Sequence, residues 1–165
     1  MAITTPTNID YLIPFLRLEL GDMDSTKYRY IDSWLRTALV MAVKNLQSWW
    51  NDKYLLDSNY NVYRNPRVYF EYEEPPIIQD KDENAIILMA SIIIREGSLE
   101  NAAWDFGSWR DAEIAYSNIE SSKSKNEGLR RAWNRLLSII KPPQKRLSKS
   151  RKSHLQGYLN NEFEG

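Results

Sequence analysis

The side chains that most often carry chemistry are thinly placed in this chain. Its one histidine, His154, lies in a Ser- and Lys-rich tail, where no rigid second group orients the ring as a general base. There is no cysteine, which removes disulfides, thiol nucleophiles, Cys-based zinc sites and iron–sulfur clusters together. Glu71, Glu73 and Glu74, beside Pro75-Pro76, invite a metal site or an acid/base pair. They lack the glycine and the alternating ligand spacing of a calcium loop, and adjacent acids beside two prolines fit a solvated turn. Asp80 and Glu83 stand three residues apart, a spacing that suits helix capping better than two carboxylates flanking a glycosidic bond. The six glycines are isolated, so no phosphate-cradling loop is formed, and no Ser sits in a G-x-S-x-G elbow. The pattern carries no positive sign of an enzyme, a metal or a cofactor.

Charge is the stronger signal. The 22 basic and 22 acidic residues cancel overall, but eleven of the basic and nineteen of the acidic side chains fall in residues 1–120. The net charge is −8 there and +8 in 121–165, a polarity that concerns partners more than folding. Lys141, Lys145, Arg146, Lys149, Arg151 and Lys152 follow one another without an intervening acid. One reading of this run is a solvated, disordered tail. The other is a linear peptide that orders on a surface, with the basic residues giving attraction and register and Leu155, Tyr158, Leu159 and Phe163 as apolar anchors. Nucleic acid is a third use of the charge, since Arg130, Arg131, Arg135 and the tail flank Trp133. No helix-turn-helix is evident, because the helix predicted over 26–50 is too apolar for a recognition helix and no short Gly-containing turn joins it to one. A DNA-binding regulatory protein with a basic C-terminal arm therefore stands as the alternative function.

The elements that must position these groups follow from composition and periodicity. With 165 residues, 42% hydrophobic and 27% charged, the chain is long enough to bury one core. The longest apolar run, 85–94, is about half of the roughly 20 residues a membrane span needs, and the N-terminus lacks the basic flank and apolar stretch of a signal peptide. Asn8 caps a short predicted helix through Leu20 that stops at Gly21, with Pro14 bending it or shifting its start. Ser25 caps a longer one to about Trp50, with Ile31, Trp34, Leu35, Ala38, Leu39, Ala42, Leu46 and Trp49 as its buried stripe. The Trp49-Trp50 pair reads as core or subunit contact rather than as a stacking platform for bases. Over 53–72 the period becomes two, with Tyr60 and Val62 before a turn at Arg64-Asn65-Pro66-Arg67 and Val68, Phe70 and Tyr72 after it, which predicts a β-hairpin insertion near 57–75.

Asp80 or Asp82 caps the next helix, whose residues 85–94 are apolar on every side and predict the central buried element. Gly97-Ser98 offers a break before a second piece through Phe106, and 112–116 reads as a brief strand. Ser124-Lys125-Asn126-Glu127 fits a capping box for a last helix with Leu129, Ala132, Trp133, Leu136, Leu137 and Ile140 on one face. Lys141-Pro142-Pro143 ends it. The expected fold is mainly α: a bundle of about four to five helices over 1–140 with a small β-hairpin excursion, followed by an extended basic C-terminal arm, 141–165.

Taken together, the opening helix with Tyr11-Leu12-Ile13-Pro14-Phe15-Leu16-Arg17-Leu18, the acidic turn at Asp22 and Asp24, the long helix ending in Trp49-Trp50, the apolar helix 85–95, the segment Glu113-Ile114-Ala115-Tyr116-Ser117-Asn118 and the final amphipathic helix resemble the head–tail connector, or adaptor, proteins of tailed bacteriophages. The resemblance covers about residues 8–140 and rests on layout rather than on fixed residues. It implies a structural virion protein of the phage neck at the head–tail junction, with no catalytic, cofactor or metal site. The implied partners are the portal protein, further copies of the chain in a ring, usually a dodecamer, the next tail or neck component, and double-stranded DNA passing without sequence specificity, with no membrane. It gives the arm a role in portal binding through Lys145, Arg146, Lys149, Arg151, Lys152, Leu155, Tyr158, Leu159 and Phe163. The hairpin and the acidic loop at 57–80 depart most from the family's shorter members.

Overall fold

A run that is apolar on every side can only be satisfied by neighbours on every side, and residues 85–94 find them. The computed structural model describes residues 2–70, 76–106 and 112–141, with 98–106 and 112–124 described by backbone alone. The apolar run is the first half of α3 (Asp80–Phe106), which packs against α1 (Ile13–Leu20), α2 (Asp32–Trp50) and α4 (Ala112–Ile140). Ala85, Ile86, Leu88, Met89, Ala90 and Ile92 are buried, and Ile87, Ile93 and Ile94 lie at the edge of the same core. The architecture is mainly helical, with four helices and one two-stranded antiparallel sheet among the described residues, as the periodicity predicts.

The opening helix starts later than Asn8. A single 3-10 turn, Asp10–Leu12, leads into α1, whose first turn holds Pro14, so the proline shifts the start instead of bending the helix. Gly21, at φ 69°, closes α1 in the left-handed region, as its position predicts. The expected Ser25 cap is not formed: α2 begins seven residues later, at Asp32. Residues between the two helices spend their amides outside any helix, because the Asp22 carboxylate accepts the Arg29 and Tyr30 amides at 2.8 and 3.3 Å, and Asp24 accepts those of Thr26. The stripe of α2 is correspondingly rotated. Leu35, Ala38, Leu39, Val40, Ala42, Val43 and Leu46 are buried, whereas Ile31, Trp34 and Trp49, expected inside, are exposed.

The hairpin lies one strand earlier than the alternation suggests. Its strands are β1 (Tyr54–Leu56) and β2 (Val62–Arg64), with Tyr54 opposite Arg64 and Leu56 opposite Val62. The turn is made by Asp57, whose carboxylate accepts the amides of Asn59 and Asn61, each at 2.8 Å, while its carbonyl accepts that of Tyr60. Pro66 has no amide to give to a ladder, and the Val68 amide closes a local turn on the Asn65 carbonyl. Among the described residues, no strand follows it. Tyr72 and the acidic residues Glu71, Glu73 and Glu74 lie outside the described residues.

Three further boundaries differ from expectation. α3 runs through Gly97 without a break, since one glycine costs a helix only about 1 kcal/mol. The predicted strand at 112–116 is helical and continuous with the amphipathic segment behind it, so Ser124 and Glu127 lie in the interior of α4, where amides already have helical partners. Asp82 caps nothing. The Gln79 carbonyl accepts the amides of Asp82 and Glu83, and Asp82 turns inward. α4 ends at Ile140, where the sequence places the stop.

Candidate functional site

The nine residues expected to form a portal-binding arm, Lys145, Arg146, Lys149, Arg151, Lys152, Leu155, Tyr158, Leu159 and Phe163, lie outside the described residues, as does His154. The chain enters that segment from Lys141. Its ammonium stands 4.6 Å from the centre of the Trp49 ring, so Lys141 lies beside the C-terminal end of α2. Trp50 turns the other way and meets the edge of Tyr54, with ring centres 5.2 Å apart. The tryptophan pair is thus divided between core and surface.

Among the described residues, the buried charged side chains, Arg17, Asp22, Arg36 and Asp82, are held in three groups. Arg17, on the inner side of α1, donates to Asp22 and Asp32 at 2.6 Å each and to the Tyr30 carbonyl at 2.9 Å, while the Tyr28 ring covers its guanidinium at 3.7 Å. Arg36 of α2 grips Asp10 through both carboxylate oxygens and takes the carbonyls of Ile3 and Thr4. Burial opposes ionisation of Asp10, but hydrogen bonds from Arg36 and Thr7 outweigh it and hold the carboxyl below its usual value. In the third group, Lys53 and the Tyr54 hydroxyl both donate to Asp82, and Lys53 also donates to Gln79. Burial, joined by the Asp82 carboxylate, pushes the Tyr54 hydroxyl above its ordinary value. A lysine, a tyrosine and a carboxylate together are general acid/base material. Here Tyr54 is fully enclosed, and the groups are spent on one another.

Among the described residues no cluster of three or more His, Cys, Asp or Glu side chains is placed to hold a metal ion, and no helix is long and apolar enough to cross a membrane. A shallow groove of about 320 Å³ runs between α3 and α4, floored by Ile87, Leu88 and Ile139. Glu19 and Arg135, 3.0 Å apart, close one side of it. Arg131 pairs with Glu127 along the outer face of α4 at 3.6 Å, an exposed contact worth little.

What the surface does offer is apolar. Tyr11 of the 3-10 turn and Phe15 and Leu18 of α1 stand at i, i+4 and i+7 and are between 47% and 64% exposed, whereas Leu12 and Leu16 are buried. Met23, Tyr28 and Ile31 between α1 and α2, and Trp34 in the first turn of α2, are exposed as well, as are Tyr63 in the hairpin and Tyr69 and Ile77 after it. Exposed apolar groups in such numbers mark interaction surfaces. Sequence reasoning missed the first of these because the helical spacing of Ile9, Leu12, Ile13, Leu16 and Leu20 already supplies one apolar stripe for the opening helix. The signal was present, since Tyr11, Phe15 and Leu18 form a second stripe at helical spacing.

Comparison with protein-family models, with curated proteins and with solved structures returns no match for this chain. The fold and the surface define a mainly helical domain, braced internally by ion pairs, with a small β-hairpin and many large apolar side chains exposed.

Proposed function

We propose that the protein is a structural component of a phage neck, a connector that joins the portal to the tail as a ring and leaves a channel for double-stranded DNA. One observation carries this reading: the described body exposes fourteen large hydrophobic side chains, seven of them within residues 11–34. An isolated domain gains nothing from that exposure, whereas a subunit flanked by neighbours covers it. The basic arm supports the same reading. Beyond Lys141, its five further basic residues and its apolar Leu155, Tyr158, Leu159 and Phe163 have the composition of a peptide that binds across an acidic partner surface. DNA is a passing partner in this scheme. The basic residues at the end of α4 and just beyond it are partly committed, Arg135 to Glu19 and Lys141 to Trp49, and they present no groove-reading element.

The test is capture by purified portal rings of the full chain and of a chain ending at Lys141. Capture of the full chain and loss of binding on truncation are expected. Replacing Lys145, Arg146, Lys149, Arg151 and Lys152 with neutral residues should slow association, with a difference that shrinks as salt rises. Equal capture of both chains would move the interface to the helical body. Sequence-selective duplex binding without capture would replace the connector reading by the regulator.

A further inference from the structure

α1 is a third wall of the groove between α3 and α4. Ile87, Leu88 and Ile139 line its apolar part, and Glu19, near the end of α1, closes one side through its 3.0 Å contact with Arg135. Just before α1 the Tyr11 hydroxyl donates to Glu83, the neighbour of the groove residue Asn84. Phe15 stands four residues from each of these two anchors, Tyr11 and Glu19, and is 55% exposed, while Ile139 is 37% exposed. From Tyr11 to Glu19 this border measures about 12 Å, at 1.5 Å per residue. The groove is thus apolar within and rimmed by Asn84, Ser138, Glu19 and Arg135.

We infer that this groove holds a segment of the chain's own arm, residues 155–163, and that the contact masks the arm until a partner takes it. Leu155, Tyr158, Leu159 and Phe163 stand at i, i+3, i+4 and i+8, the spacing of anchors on a helix laid in an apolar groove. On a helix they span about 12 Å, the length of the border along α1. The connection reaches. Ile139 lines the groove two residues before Lys141, Pro142-Pro143 stops α4, and the 13 residues 142–154 extend to about 43 Å, ample for a return. Charge favours the same occupant. Five basic residues lie in 145–152 without an acid, whereas residues 1–120 carry −8 and the first turn of α3, next to Asn84, holds Asp80, Asp82 and Glu83. Connections of this kind give effective concentrations of about 1 mM, so a contact with a Kd of about 0.1 mM is closed about nine-tenths of the time. The masking rests on the connector reading, since the covered residues are those it assigns to the portal; the groove contact itself does not.

The absence of native cysteine lets one label report on the full chain. A nitroxide on Asn84→Cys, an exposed position at the groove, should broaden the amide resonances of Leu155, Tyr158, Leu159 and Phe163, equally at all protein concentrations. Phe15→Ser with Ile139→Ser should abolish the broadening; both side chains are exposed, and circular dichroism checks that the helices remain. A fluorescent peptide of residues 141–165 gives a second readout. A full chain combining Leu155→Ser, Tyr158→Ser, Leu159→Ser and Phe163→Ser should bind it about tenfold more tightly than wild type, whose groove is open only a fraction of the time. By the same arithmetic, portal rings should capture the Phe15→Ser, Ile139→Ser chain about tenfold more tightly than wild type.

Absent broadening, or broadening that survives the two groove substitutions, overturns the contact. Broadening that fades on dilution overturns it too, since the arm then lies on a neighbouring copy. Equal peptide binding by the two chains means that the groove is open in the free protein, with the same consequence. Portal capture separates the two readings: equal capture of wild type and groove variant removes the masking and leaves the connector standing, while capture of neither removes the connector and leaves the groove contact to be decided by the label.

Discussion

Asn8 pairs with Val62 as though it were a third strand. Its Nδ2 donates to the Val62 carbonyl at 2.7 Å, and its Oδ1 accepts the Val62 amide at 2.8 Å, so one side-chain amide satisfies both main-chain groups on the open edge of β2. The Asn8 amide in turn donates to the Asn61 side chain at 3.0 Å. The N-terminal segment is thereby fastened to the hairpin across 54 positions of sequence.

Replacing Asn8 by Ala strands the Val62 amide and carbonyl beside a residue that is only 1% exposed. A loss of about 1–2 kcal/mol in urea unfolding is expected. Asn8→Asp should fall in the same range, since it keeps the acceptor and loses the donor. Hydrogen exchange should show the Val62 amide opening faster in both variants.

Among the described residues, Arg17 is the one cation paired with Asp22, whose side chain is 5% exposed. Arg17→Met leaves that carboxylate buried and unpaired, and a loss of about 3–5 kcal/mol is expected in denaturant unfolding. Arg17→Lys should recover only part of it, because an ammonium cannot reach Asp22, Asp32 and the Tyr30 carbonyl with one planar fork.

Asp10 gives the fold a defined acid sensitivity. Its carboxyl is held below the ordinary value, so the folded state binds that proton less readily than the unfolded chain. The contribution is complete above the unfolded value of about 4 and is lost as pH falls through the lower, folded one. Thermal unfolding between about pH 5 and pH 2 should therefore show a steeper loss of stability for wild type than for Asp10→Asn. Asp24 and Asp57 are shifted in the same direction, so it is the difference between the two curves that isolates Asp10.

Two neighbours on α4 should respond differently to truncation. Leu136 is fully buried, and Leu136→Ala is expected to cost about 2–5 kcal/mol. Trp133, expected inside on its spacing, lies at the core margin with its indole N–H on Glu96 at 3.2 Å. Trp133→Ala should cost less than Leu136→Ala despite removing the larger side chain. The reverse order in equilibrium unfolding would mean that α4 is rotated on α3.

The sequence alone determined the elements whose signals are local and strong. Residues 85–94 leave no polar side for water, so a central helix was the only way to bury them, and the steps of three and four from Leu129 to Ile140 place the last helix wherever it packs. Gly21 and Lys141 mark real ends because a left-handed residue and a following proline act on their own backbone.

Tertiary contacts decided the rest. Ser25 is an adequate cap, but the amides of Arg29 and Tyr30 belong to Asp22, which can reach them only because Arg17 holds Asp22 in place. Alternation alone could not choose between hairpin registers, and the choice was made by Asp57 at the turn and Asn8 on the edge. Trp34 and Leu18 are as apolar as the residues that fill the core. Periodicity counts hydrophobic side chains without knowing which neighbours will cover them, so that these two face outward was decided by the packing of α1 and α2 against α3.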